Sequence, residues 1–195
     1  MFTIYERSLA DVSRVVGEVG PGALSRPTPC GGWNLRQLLT HMVGQNDGFA
    51  RAVADGEAPA SASERDELAD TEVQSEWERS AQALRGEFRA ADLEREVRIE
   101  GFPPLPAKTA LRMVALDNAV HAWDVASALG VEYRPGAELT AFCLEFAREI
   151  AALPREFVAD SFGPPVAGTP AATPWAEALR LLGRSTTPDG RWPAA

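Results

Sequence analysis

The chain has 195 residues, 45% of them hydrophobic and 24% charged, with a formal net charge of −9. That is the profile of a globular protein long enough to bury a core, expected as one domain over residues 1–195. The acid excess argues against nucleic acid or an anionic membrane as a main partner, because phosphates demand a basic face. No apolar run reaches the roughly eighteen residues that a membrane helix needs. The N-terminal stretch lacks the basic start and apolar segment of a signal peptide, so the expected location is the cytoplasm.

Taken in chain order, Ile4, Leu9, Val12, Val15, Val16 and Val19 recur at mostly helical spacing. They predict a first helix over about Thr3 to Val19, stopped by Gly20-Pro21-Gly22. After a turn-rich stretch to Gly32, Asn34 is a good N-cap and Gln37 completes a capping-box pattern. Leu35, Leu38, Leu39, Met42 and Val43 then draw one apolar stripe on a second helix that reaches about Ala54. Residues 58–69, rich in Ala, Ser, Pro and Glu, are expected to form an exposed connection, either over a pocket or in solvent. A third helix, about Thr71 to Ala90, carries Val73, Trp77, Ala81, Leu84 and Phe88. The brief alternation from Glu96, ended by prolines, suggests an extended or hairpin-like link. A fourth helix over about Lys108 to Leu129 holds Leu111, Val114, Ala115, Ala122 and Val125 and stops at Gly130. A fifth runs from about Leu139 to Ala152, and a loop leads to one short helix near Trp175. The expected fold class is all-α, a bundle of four main helices with additional short ones.

The chain has only two histidines. Asp117 and His121, four residues apart, stack on one helix face about one turn apart. His41 lies on the second helix beside its apolar stripe, on a side that also carries Gln37, Gly44, Gln45 and Gly48. The two glycines cost that helix roughly 1 kcal/mol each against alanine, so another helix or a ligand is expected to approach closely. Together His41, Asp117 and His121 offer two imidazoles and one carboxylate to a divalent metal, leaving positions open as catalytic sites do. The plainer reading is an Asp-x-x-x-His pair worth a few tenths of a kcal/mol. Cys30 and Cys143 form no Cys-x-x-Cys pair. Cys143 reads as a core residue, and Cys30 sits in the turn before the second helix.

Three ordered stretches carry a family resemblance. Thr28-Pro-Cys-Gly-Gly-Trp33-Asn-Leu-Arg-Gln-Leu-Leu-Thr-His41 and Val120-His121-Ala-Trp123-Asp124-Val-Ala-Ser-Ala-Leu-Gly130 are two of them. The third is Phe162-Gly-Pro-Pro-Val166 followed by Leu181-Leu-Gly183-Arg184. They resemble the actinobacterial metal-binding proteins of the DinB-like superfamily, related to the N-terminal domain of mycothiol-dependent maleylpyruvate isomerase. The resemblance implies a four-helix bundle holding a divalent metal, typically zinc, with nickel or iron as alternatives. His41 matches the first histidine of that set, Asp117 the acid and His121 the second histidine.

Two departures matter. Asp117 stands where the family usually has Glu, one methylene longer, so it could ligate directly, ligate through water, or leave a weak or empty site. The isomerase also carries a further sterol-carrier-like domain that this sequence does not show, so maleylpyruvate is not the expected substrate. Trp123 reads as a packing anchor and Trp33 as a hydrophobic staple. Asp124 reads either as an acceptor for an imidazole N–H or as a solvent-facing or capping residue.

The function expected from the resemblance is a metal-dependent thiol transferase or isomerase-like enzyme, using mycothiol or a similar small thiol on a small electrophile. The rival is a non-catalytic bundle that binds a ligand or partner and has a weak or lost metal site. Catalysis by side chains alone is disfavoured: there is no Gly-x-Ser-x-Gly elbow and no phosphate-binding glycine loop. A homodimer is left open.

Overall fold

The structure is a computed structural model and describes residues 1–99, 101–158, 161–168, 170–187 and 191–193. Its helices are α1 (Phe2–Val16), α2 (Leu35–Asp55), α3 (Val73–Ala90), α4 (Ala107–Leu129), α5 (Ala137–Ala151) and α6 (Pro174–Leu181). α1 ends before its apolar pattern does. Val19 stays buried, but Glu18 and Val19 tighten into bonds three residues back, so the last apolar residue is delivered by a turn. The start of α2 follows its expected chemistry. Asn34 Oδ1 accepts from the Gln37 N–H at 2.9 Å, and Gln37 Oε1 accepts from the Asn34 N–H at 3.1 Å. Gly130 ends α4 in the left-handed region, at φ 74°.

α1 packs chiefly on α4 and α2 on α3, and the two pairs close into the bundle; α5 and α6 pack on each other beside it. One hydrophobic cluster runs through all six helices, from Tyr5 to Leu182. The link after α3 is an antiparallel hairpin of β1 (Glu96–Val97) and β2 (Leu105–Pro106), with Val97 opposite Leu105. No helix among the described residues is long and apolar enough to cross a membrane.

α4 is buried on most of its circumference, because α1, α2 and α5 all pack against it. His121 therefore faces the interior and is only 4% exposed. The 58–69 connection is exposed over most of its length, as expected, and of its two expected placements it takes the one over a pocket, docked on α2. Leu68 is buried, its N–H donates to Thr40 Oγ1 at 3.1 Å, and Arg65 pairs with Asp47 and Glu76. This connection, through its one-turn 3-10 helix Ala60–Ala62 and the Ser63 that ends it, is what approaches the glycine face of α2. A Cβ added at Gly44 would stand 2.2 Å from the Ser63 carbonyl oxygen, and one at Gly48 would stand 2.0 Å from Ser63 Oγ.

Candidate metal centre and its cleft

The bundle brings α2 and α4 together so that the His41 and His121 rings meet edge to face, 5.7 Å between centroids. His121 lies between two carboxylates. Its Nδ1–H donates to Asp124 Oδ2 at 2.9 Å, and its Nε2 is 3.3 Å from Asp117 Oδ1. Asp124 is fully buried, whereas the Asp117 side chain keeps a third of its surface open. With Nδ1 donating to Asp124, a neutral His121 would turn its Nε2 lone pair toward a carboxylate oxygen. Only a cation between them, a proton or a metal ion, makes that contact attractive. Two ligands of one tetrahedral zinc, with bonds of about 2.0–2.1 Å, stand about 3.3 Å apart. Asp117 and His121 are thus spaced as two ligands of such an ion would be, and Asp124 holds the His121 ring by its other nitrogen.

His41 is less committed. Its Nε2 lies 3.2 Å from the Gln45 side-chain nitrogen, an amide that donates, so the imidazole accepts there. Among the described residues, no three His, Cys, Asp or Glu side chains converge on one point. The electrostatics set the two rings apart. Burial, and then the charge of His121, pushes the His41 pKa down to about 4. Burial works against the charged form of His121 too, but Asp117 and Asp124 outweigh it and lift that ring to about 9. Asp117 lies below its usual range despite burial, because His121 sits beside it.

His41 also lines a cleft of ≈ 310 Å³, with Trp33, Gln37 and Thr40 from the α2 side and Ser63, Glu64, Arg65 and Glu67 from the connection. Trp33 is not simply a staple. Its ring lies 4.7 Å from the His41 ring and forms part of the cleft wall. Trp123 is 3% exposed within the core, and Cys143 is fully buried. Cys30 comes close to the centre. Its Sγ is 3.8 Å from Arg184 Nη2, and burial followed by the Asp124 charge pushes its thiol up to about 11, so it is not a thiolate.

Gln45, which the sequence places on the His41 side of α2, is the residue that engages His41. Sequence reasoning missed the role of Arg184, which had no signal beyond its place in the closing motif, because its partner Asp124 lies 60 positions away.

The profile of the mycothiol maleylpyruvate isomerase N-terminal domain matches residues 5–126, a stretch that includes Cys30, Trp33, His41, Asp117, His121 and Asp124. Two solved structures share the fold. The crystal structure of the mycothiol-dependent maleylpyruvate isomerase superposes with a TM-score of 0.58 at 17% identity, over 74% of this chain and 67% of that one. A histidine-to-alanine mutant of that enzyme gives 0.57 at 16% identity, with the same coverage. No curated protein matches the sequence significantly. With a fold of this type and a profile match across more than half its length, the chain belongs to the family of the mycothiol maleylpyruvate isomerase N-terminal domain.

Proposed function

We propose that this protein is a divalent-metal-dependent enzyme that directs a small thiol of the mycothiol type onto a small electrophile. The observation that carries this reading is the setting of His121, fixed at Nδ1 by buried Asp124 and facing Asp117 at ligand spacing. In this reading His41, Asp117 and His121 hold the ion, zinc first and nickel or iron(II) as alternatives. When bound, the ion supplies a Lewis-acid centre that lowers the pKa of a thiol or water beside it.

The chain's own residues supply orientation and selection. Asp124 holds the imidazole in one orientation. Trp33 offers an aromatic wall, and the cleft approaches the volume of small-molecule sites. Its charge disfavours dicarboxylates. Glu64 and Glu67 line it and are exposed, while Arg36 is engaged by Asp70 and Arg65 by Asp47 and Glu76. A neutral or cationic electrophile suits such walls better than a dianion. The reading takes residues 1–195 as one domain acting on a small molecule in the cytoplasm.

Turnover tests it: zinc-loaded protein should consume a neutral electrophile only when the thiol is present, and chelator or His121→Ala should abolish the rate. The second reading, a non-catalytic bundle with a weak or lost metal site, draws support from the engagement of His41 Nε2 by Gln45. Metal uptake without thiol-dependent turnover of any electrophile would favour it.

A further inference from the structure

The segment that follows α6 lies outside the stretch matched by the family profile, yet it sends one side chain into the centre. Arg184 is 7% exposed, and its Nη2 donates to Asp124 Oδ2 at 3.0 Å. We infer that Arg184 is a positioning residue for the metal centre: it holds Asp124 against His121, so that the C-terminal segment completes a site otherwise built by α2 and α4. This rests on the metal reading above.

The geometry leaves Asp124 few other supports. Its Oδ2 accepts from both His121 Nδ1 and Arg184 Nη2, while its Oδ1 is buried without a hydrogen-bond partner. Without the guanidinium, a fully buried carboxylate would keep only the imidazole N–H, with nothing to fix its rotation. Arg184 is itself anchored to the backbone, since its Nη1 donates to the Leu182 carbonyl at 3.0 Å. The turn that brings it inward depends on Gly183, which sits at φ 82° in the left-handed region. A Cβ there would also meet Gly163 Cα at 2.8 Å. The two closing motifs of the sequence thus meet glycine on glycine, and their joint product is an arginine aimed at Asp124. Stability is a weak account of this pair, because a buried ion pair often gains nothing over apolar residues of the same volume. An outer partner that orients a metal-bound histidine is the stronger account.

Zinc affinity, measured by chelator competition well below every unfolding transition, separates these accounts. The variants are Arg184→Met, Arg184→Lys and Arg180→Met. Arg180 lies in the last turn of α6, just before the C-terminal segment, bonding Glu177 and the Val166 carbonyl and not touching Asp124. Arg184→Met should bind zinc about 10- to 100-fold more weakly. Arg184→Lys should lose less, since it keeps the charge but not the planar fork. Arg180→Met should stay near wild type. Should Arg184→Met not fold, Arg184→Lys against Arg180→Met carries the comparison. Equal affinity in wild type and the Arg184 variants, or an equal loss in Arg180→Met, overturns the inference alone. A wild type that takes up no zinc overturns the metal reading, and this inference with it, before any variant is compared.

Discussion

Replacing Gly44 by alanine puts the packing of the 58–69 connection on α2 to a direct test. In an open helix interior this change stabilises by about 1 kcal/mol. Here the new Cβ would lie 2.2 Å from the Ser63 carbonyl oxygen and 3.2 Å from its carbon, both backbone atoms. Relief requires the connection to retreat by about 1 Å, an overpacking cost of about 1–3 kcal/mol. Retreat also strains the Leu68 N–H bond to Thr40 Oγ1, worth about 0.5–1.5 kcal/mol. The net expectation is a loss of about 1–3 kcal/mol, which for a chain of this size lowers Tm by about 2–12 °C. Gly48→Ala is the contrast, since the nearest atom there is Ser63 Oγ, a side-chain end that can rotate away. It should stay within about 1 kcal/mol of wild type. Urea and thermal unfolding followed by far-UV circular dichroism measure both. A Gly44→Ala protein as stable as wild type, or more so, would refute the packing of the connection on α2 and with it one wall of the cleft.

Three further outcomes follow from the site. In metal-free protein the two histidines oppose each other around their ordinary value of 6.5. His121, raised to about 9, contributes stability that is fully present below 6.5 and lost as pH rises toward 9; His41, lowered to about 4, makes the fold less stable as pH falls from 6.5 toward 4. Urea midpoints in chelator, wild type minus the His41→Ala/His121→Ala double variant, should therefore peak near pH 6.5, and a difference that grows steadily up to pH 9 would contradict the assignment. Asp117→Glu extends the carboxylate past His121 toward His41 and should tighten zinc binding by about tenfold, about 1.4 kcal/mol; titration calorimetry showing no gain would remove Asp117 from the ligand set. Glu64→Gln/Glu67→Gln should lower KM for an anionic electrophile several-fold and leave a neutral one unchanged, whereas equal effects on both would dismiss charge selection by the cleft.

Local chemistry was legible in the sequence, and long-range partnership was not. The capping box at Asn34 and Gln37, the Gly130 stop and the hairpin around Val97 and Leu105 each depend on residues a few positions apart, and each appears as expected. The apolar stripe of α4 located its core face but not how many neighbours surround it, so the depth at which His121 and Asp124 are buried was not legible. Which of its two expected placements the connection takes was not legible, because it docks in part through backbone groups, the Ser63 carbonyl and the Leu68 N–H, which composition does not report. Gly44 and Gly48 did signal a close approach without naming what approached. For the candidate site, the spacing of Asp117, His121 and Asp124 was visible on one helix. The Arg184 contact depends on a turn built by Gly183 against Gly163, which no periodicity encodes.

The central claim, that α2 and α4 present a metal site, is tested most directly by the metal content of protein purified without a histidine tag, wild type beside His121→Ala and Asp117→Ala. The account predicts about one zinc or similar ion per chain in wild type, absent in His121→Ala and reduced in Asp117→Ala. A wild type that holds no metal and gains none from added zinc, nickel or iron(II) would contradict it, leaving the proton shared by His121 and Asp117 as the cation of this site.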